Sequence, residues 1–325
     1  MKIQRVIEVG KLLEKAACNI GLPLPILVCS YAFCRVIHGA SFDDFYTLKM
    51  YDYTNHKRKQ ILTHGRCKRI SDILNKKAVK TDIETIVRKD LFNKAYKKYI
   101  NREWIYLPES NESEVKSFIE RNEKFLVKPT ISSCGKDILL FENTAIDVKK
   151  FWLENQKKKV VLESFIKQNL DIAKLNPSSV NSIRLVTVCR DRKVMILGGA
   201  LRCGGKDAFV DNFHHGGCAY PIDLNTGIIT GRGRTEKGGR EYIRHPSTGY
   251  IMPGFQIPNW EKIIKMVSQA ALETKNLGYV GWDIAVLQDG CEIIEANVNY
   301  PGTVTLQLDN TEVYKKLKHF MNETK

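Results

Sequence analysis

The stretch from Gly278 to Gly302 constrains this chain more than any other. Two short apolar runs, Tyr279-Val-Gly-Trp-Asp283-Ile-Ala-Val and Cys291-Glu-Ile-Ile-Glu295-Ala-Asn297, flank Asp289-Gly290. Asp-Gly between such runs is among the stronger hairpin signals. Loop length decides what the hairpin carries. A two-residue turn at Asp289-Gly290 sets Asp283 opposite Ala296, on the face away from Glu295 and Asn297. A three-residue loop Gln288-Asp289-Gly290, with Gly290 left-handed in a G1 bulge, sets Asp283 opposite Glu295. Asn297 then follows on the same face at the strand period of two. Two carboxylates and an amide oxygen together make the hard oxygen environment that Mg2+ takes when it also holds phosphates. The same residues also suit a hairpin whose acids face water, and only structural context separates the two readings.

Composition sets the frame for that hairpin. With 325 residues, 43% hydrophobic and 27% charged, the chain has enough apolar content for two or three domains with real cores, which excludes a disordered protein. Most of the net charge of +15 falls in the first third, which suggests an acidic partner: a phosphorylated substrate, an anionic lipid surface or nucleic acid. Nine cysteines without a C-x-x-C pair or zinc spacing read as reduced thiols of a cytoplasmic protein. The apolar run Ile20 to Ile37 is too short to span a bilayer and contains Pro23 and Pro25. The segment before it, with Glu8, Lys11, Glu14 and Lys15, lacks the order of a signal peptide. The expectation is a soluble protein, with peripheral contact to the inner face of the membrane left open.

Residues 1–19 place Ile3, Val6, Ile7, Leu12, Leu13 and Ala16 at helical spacing, ended by Gly21-Leu-Pro. From Ser41 the chain is helical and basic, with Phe42, Phe45 and Tyr46 leading into Lys57-Arg58-Lys59. A further helix is predicted over 81–99, with Thr81-Asp-Ile-Glu84 as a capping box. These basic helices carry no nucleic-acid reading motif, so a solvated basic face is the simpler reading and no specific nucleic acid is expected. After Trp104, short strands alternate with helices, which makes the whole pattern α+β. A helix is expected over 112–123, a strand over 125–129 and a strand over 138–141. Between those strands lies the small-residue loop Thr130-Ile-Ser132-Ser133-Cys-Gly135-Lys136-Asp137. Lys128 before that loop suits a phosphate clamp, because an ammonium and backbone N–H groups can share one anion. Walker A spacing is absent, and an ordinary hairpin also fits. The strand Val160 to Ile166 carries one carboxylate, Glu163, and Arg184 sits near the start of the strand after Asn176-Pro-Ser-Ser-Val-Asn181. In Asp211-Asn212-Phe-His214-His215-Gly-Gly217 the paired histidines point opposite ways on an extended chain, so they read as loop or substrate contacts rather than zinc ligands. Pro258-Asn-Trp260 opens a helix that feeds the acidic hairpin.

Taken in order, Lys128 before its loop, Glu163-Ser-Phe-Ile166, Arg184, Asn212 to Gly217, Asp283 and Glu295-x-Asn297 resemble the ATP-grasp fold. The closer resemblance is to its sugar-transfer-associated members, through Asn176-Pro-Ser-Ser-Val-Asn-Ser-Ile-Arg184, Asp211-Asn-Phe-His-His-Gly-Gly217, Tyr279-Val-Gly-Trp-Asp283 and Glu295-Ala-Asn297, over roughly residues 89–307. The resemblance implies a helical region over 1–105, a small subdomain with the phosphate loop over 106–166 and a large subdomain with the metal site over 167–325. ATP would lie between the two subdomains. Lys128 and Lys89 would bind phosphates, and Ser132, Ser133, Gly135 and Lys136 would cover them. Glu163, Ser164, Phe165 and Ile166 would border adenine and ribose. Asp283, Glu295 and Asn297 would hold Mg2+, as two ions with Glu295 bridging. Arg184 and Asn212 would face the γ-phosphate and the carboxylate being activated. One departure stands out: the acidic residue often found two before the arginine is Ser182 here.

The implied reaction joins a carboxylate to an amine through an acylphosphate, with a sugar acid or glycan precursor of surface polysaccharide as the expected carboxylate and an amino acid or amino sugar as the amine. Two other readings stay open. A kinase acting on a sugar hydroxyl would use the same metal trio, and a basic binder of glycan or nucleic acid would need no ATP.

Overall fold

The computed structural model describes residues 2–132, 137–205, 217–235, 241–299, 301–302, 304–309 and 312–324. Its first third is helical: α1 (Lys2–Ile20), α2 (Leu24–His38), α3 (Phe42–Thr47), α4 (Asn55–Arg58), α5 (His64–Leu74), α6 (Lys80–Val87) and α7 (Lys89–Ala95) precede the first strand. Helix α1 ends at Gly21, whose φ of +70° favours a residue without a Cβ. Ser41 starts α3 with a reciprocal cap: Ser41 Oγ accepts the Asp44 N–H at 3.0 Å, and Asp44 Oδ2 accepts the Ser41 N–H at 2.8 Å.

The single helix predicted over 81–99 is two helices, broken at Arg88, whose ψ of 119° is extended. The predicted Thr81 cap is also displaced, since Asp82 Oδ2 accepts the Val79 N–H at 3.1 Å. The break has a tertiary cause. Lys89 N–H donates to the Thr130 carbonyl at 3.0 Å, which takes it out of any continuous helical ladder and turns Lys89 toward the chain after Pro129.

Beyond residue 100 two antiparallel sheets form. Strands β1 (Trp104–Tyr106), β2 (Lys124–Pro129), β3 (Leu139–Glu142) and β4 (Val160–Ser164) make a four-stranded sheet in the order β1-β4-β2-β3. Helices α8 (Glu112–Arg121) and α9 (Val148–Asn155) back it, with Phe118, Phe125, Phe151 and Leu162 in the small core. After α10 (Leu170–Ala173) come β5 (Ser182–Arg190), β6 (Lys193–Cys203), β7 (Cys218–Pro221), β8 (Gly233–Thr235), β9 (Glu241–Tyr242), α11 (Trp260–Glu273), β10 (Tyr279–Val286), β11 (Cys291–Asn297) and α12 (Val313–Glu323). These strands form the large sheet in the order β11-β10-β5-β6-β7-β8-β9. Asp191 and Arg192, both with positive φ, make the two-residue turn between β5 and β6.

Period-two alternation assigns the faces of the large sheet. Ile183, Leu185, Val280, Trp282 and Ile284 pack with Ile263, Val267 and Ala270 of α11. Val186, Val188 and Tyr279 pack on the other side with Cys67 and Ile70 of α5 and with Leu317 and Phe320 of α12. Arg184 and Asp283, interleaved with the α11-facing residues, therefore project away from α11.

Candidate active site

The hairpin that opened the sequence reading pairs Asp283 with Glu295, and Gly281 with Asn297, as expected. It reaches that register by another route. Leu287 N–H donates to the Gly290 carbonyl at 2.9 Å, so Gln288 and Asp289 form the tip, and Gly290 has no positive φ. The ladder then shifts by one residue between Asp283 and Ile284, leaving Ile294 as the extra residue of a bulge. The expected G1 bulge at Gly290 is thus replaced by a bulge beside the acids. Its cause is visible: Arg102 Nη2 donates to the Ile294 carbonyl at 2.9 Å and Nη1 to the Ile293 carbonyl at 2.9 Å, drawing that backbone out of the ladder.

Asp283 is buried and held between two arginines. Arg184, its partner across β5, donates from Nε to Oδ1 at 2.5 Å and from Nη2 to Oδ2 at 2.8 Å, and Arg202 Nη2 lies 3.0 Å from Oδ1. Burial alone would raise its pKa, but Arg184 and Arg202 outweigh burial and hold the carboxyl at about 2. Burial and the neighbouring Asp283 charge push Glu295 up, against the pull of Lys89, Lys128 and Arg184. Asn297 Nδ2 lies 3.5 Å from Asp283 Oδ2. Among the described residues no cluster of three or more His, Cys, Asp or Glu is placed to hold a metal. Two crowded carboxylates and an amide oxygen fit a divalent cation, which relieves the repulsion that raises Glu295. As placed, each oxygen of Asp283 takes two donors, Arg184 Nε and Arg202 Nη2 on Oδ1 and Arg184 Nη2 and Asn297 Nδ2 on Oδ2, so a cation bound there would take the place of one of them.

Facing this set are two buried lysines. Lys89 Nζ donates to Ser132 Oγ at 3.0 Å, and burial lowers its pKa, partly offset by Glu295. Lys128 Nζ donates to Glu163 Oε2 at 2.6 Å. Both oxygens of Glu163 are engaged, since Arg102 Nε donates to Oε2 at 2.9 Å and Asn93 Nδ2 donates to Oε1 at 3.1 Å. As placed, Glu163 sets the lysine and offers no oxygen to a ribose. Ser164, Phe165 and Ile166 leave β4 half-buried, and Ser164 Oγ accepts the Glu103 N–H at 3.0 Å. Ser133, Gly135, Lys136 and Asn212 lie outside the described residues.

Three residues that the sequence reading gave no role complete the geometry: Asn93, Arg102 and Arg202. Arg102 carries Glu163 on β4 and Glu292 on β11, whose Oε2 also accepts the Arg102 N–H at 2.9 Å. Arg202 is aimed by Ser182, whose Oγ accepts from Arg202 Nη2 at 2.7 Å. The serine that departs from the expected acid thus orients an arginine, and the register Ser182↔Arg202 depends on a second bulge between Val186 and Thr187. A separate groove of about 420 Å³, lined by Lys94, Tyr106, Glu109, Ser113 and Arg121 among others, contains none of these groups and lies away from the chemistry.

A family model described as sugar-transfer associated ATP-grasp matches residues 94–322. No curated protein sequence matches the chain. Among solved structures the chain is similar to carboxyaminoimidazole ribonucleotide synthase from Aspergillus clavatus complexed with ATP, at 12% identity and TM-score 0.43, over 67% of this chain and 46% of that one. It is similar to L-amino acid ligase from Bacillus licheniformis at 12% identity and TM-score 0.41, over 67% and 41%. It is also similar to the ATP-grasp ligase PsnB complexed with a phosphomimetic variant of its minimal precursor, Mg and ADP, at 11% identity and TM-score 0.43, over 81% and 72%. The chain spans less than half the length of the first two proteins.

Proposed function

The chain belongs to the sugar-transfer associated ATP-grasp family, and from that premise we propose that it is an ATP- and Mg2+-dependent carboxylate–amine ligase acting on a sugar acid or glycan precursor. The observation that carries this reading is the convergence, opposite Lys89 and Lys128, of Asp283, Glu295 and Asn297 with Arg184 and Arg202. Two arginines beside the acids suit an anionic acceptor, a carboxylate, better than a neutral sugar hydroxyl.

Lys128, held by Glu163, and Lys89, held by Ser132, bind the phosphates of ATP. Asp283, Glu295 and Asn297 would hold Mg2+, which when bound would offset the charge of the β- and γ-phosphates. Arg184 and Arg202 orient the acceptor carboxylate and offset charge that builds on the transferring phosphoryl group. The acceptor oxygen attacks the γ-phosphorus as the bond to ADP breaks, giving an acylphosphate and ADP. An amine then attacks the acyl carbon, phosphate leaves, and the amine loses a proton to give the amide. Ser133, Gly135, Lys136 and Asn212 join this reading as phosphate-loop and acceptor-side contacts, and it takes two metal ions, which Glu295 would help to hold.

ADP release from a panel of uronic acids, with and without amino acids or amino sugars, tests the proposal. Turnover is expected to need both an acid and an amine, to fall by at least roughly a hundredfold in Glu295→Gln, and to lose ATP affinity in Lys128→Met. A stable phosphorylated sugar made without any amine would replace the ligase with a kinase. No ATP binding by wild type would leave a glycan-binding protein.

A further inference from the structure

The outward side of α2 is apolar along its length. Ile26, Phe33, Val36 and Ile37 stand on it at 58%, 40%, 79% and 56% exposure, with Val28 and Cys29 exposed beside them. Helix geometry explains the grouping. Leu27, Cys34 and His38 recur seven and four residues apart and turn inward, Leu27 and Cys34 joining a core with Leu13, Ala17 and Phe45, so the residues between them take the opposite side. The neighbouring α1 exposes Val6, Ile7 and Leu12 among the charged Glu8, Lys11, Glu14 and Lys15. An apolar helix side left open over this length is the kind of surface that marks an interaction site.

The rim of this face is basic. Helix α4 is fastened to α2 where Arg58 Nη2 donates to Ser30 Oγ at 3.1 Å and His38 Nε2 lies 3.0 Å from Asn55 Oδ1. The Arg58 guanidinium sits 5.9 Å from the centre of the Phe33 ring. Lys57, Lys59 and Arg35 are exposed around it, and no Asp or Glu occurs between Glu14 and Asp43 or between Asp52 and Asp72.

From this the geometry points to α2, with α4, as a surface that docks on an anionic lipid bilayer. Acyl chains take the apolar side chains and headgroup phosphates take the lysines. A nucleic acid would use the cations but leave Val36 and Ile37 in water. A second copy, meeting its own like across a two-fold axis, would bring the cations together. Helix α2 has 15 residues, about 22 Å of rise, short of the roughly 30 Å hydrocarbon layer. No described helix is long and apolar enough to cross a membrane. The helix therefore lies in the interface, independently of what the catalytic cleft does.

Co-sedimentation of the full chain with vesicles tests this, using phosphatidylcholine alone and phosphatidylcholine mixed with phosphatidylglycerol. Binding is expected to the mixed vesicles and to weaken roughly tenfold on the neutral ones and in high salt. Val36→Asp with Ile37→Asp should remove at least roughly tenfold of the affinity, Lys57→Ser with Lys59→Ser should remove its salt dependence, and Val36→Trp should strengthen it. All three variants should keep the wild-type circular dichroism and the ADP release seen in free solution, which separates this surface from the ligase reading. The inference is overturned if wild type stays in the supernatant with mixed vesicles at low salt, or if binding is indifferent both to the paired aspartates and to Val36→Trp. A dimer that Val36→Asp dissociates, without vesicle binding, would assign the face to a second copy.

Discussion

Arg102 is the residue on which the cleft depends most and for which the sequence offers least. Its guanidinium is almost wholly buried between Glu163 and Glu292 and donates to the Ile293 and Ile294 carbonyls. Arg102→Met would leave Glu292 without its guanidinium and Glu163 with Lys128 as its remaining cationic partner, at a cost of about 3–5 kcal/mol, read as a shift in urea unfolding. Arg102→Lys keeps a charge but cannot fork across both sheets, so it is expected to fold and to bind ATP roughly tenfold more weakly, measurable by calorimetric titration. If Arg102→Lys bound ATP normally, the guanidinium would have no part in setting Lys128 and the bulge. At this scale the residues with a local signature were legible: Lys128 from its strand end and loop, and Asp283, Glu295 and Asn297 from their spacing in the hairpin. Arg102 and Arg202 were not, because a lone arginine acquires meaning only from partners distant in the chain, here Glu163, Glu292 and Asp283.

Elements were easier to foresee than their exact registers. Strands β2, β3 and β5 and helices α1 and α8 lie close to where apolar periodicity and turn residues put them. The failures share a cause, which is backbone captured by a tertiary partner. Lys89 N–H goes to Thr130 and ends a helix, while the Ile294 carbonyl goes to Arg102 and shifts a ladder. Periodicity is blind to both. Gly281 shows the same dependence on close approach, since a Cβ there would lie 2.3 Å from the Pro301 carbonyl oxygen. That carbonyl accepts from Arg184 Nη1 at 3.2 Å. Gly281→Ala is therefore expected to push the Pro301 backbone away, cost about 1–3 kcal/mol in urea unfolding and loosen Arg184. An unchanged midpoint would show that the segment moves aside freely.

Across the whole molecule the helical first third is tied to the ATP-grasp sheets. Gln307 grips Leu62 like a paired strand, with Leu62 N–H donating to Gln307 Oε1 at 2.7 Å and Gln307 Nε2 donating to the Leu62 carbonyl at 2.9 Å. Arg234 Nη1 donates to the Thr47 carbonyl at 2.7 Å. The region that resembled the family only in being helical and basic thus shares a core with β5, β10 and α12. Two buried histidines give this assembly a pH dependence. Burial, with Arg66, Arg58 and Lys59, lowers the pKa of His38 despite the Asn55 hydrogen bond, and burial lowers that of His245 despite the Gly204 carbonyl. With folded values below 6.5, the unfolded chain takes up protons first as pH falls. Their stabilisation is present above the unfolded value and lost as pH falls through the folded ones. Tm should drop between about pH 7 and about pH 5, and His245→Gln should flatten that slope; an identical slope in the variant would remove His245 from the account.

Arg102 also ties the two sheets together at one edge. It joins the chain just before β1, at one edge of the small sheet, to β11, at the edge of the large one. An anchored edge is where a swing of the small sheet would have its fulcrum. In such a swing β3, three strands away and about 14 Å across the sheet at the usual strand spacing, would travel furthest and the Glu163–Lys128 pair less. Lys128 and Glu163, on the two inner strands, are thus held nearer the anchored edge than β3 is.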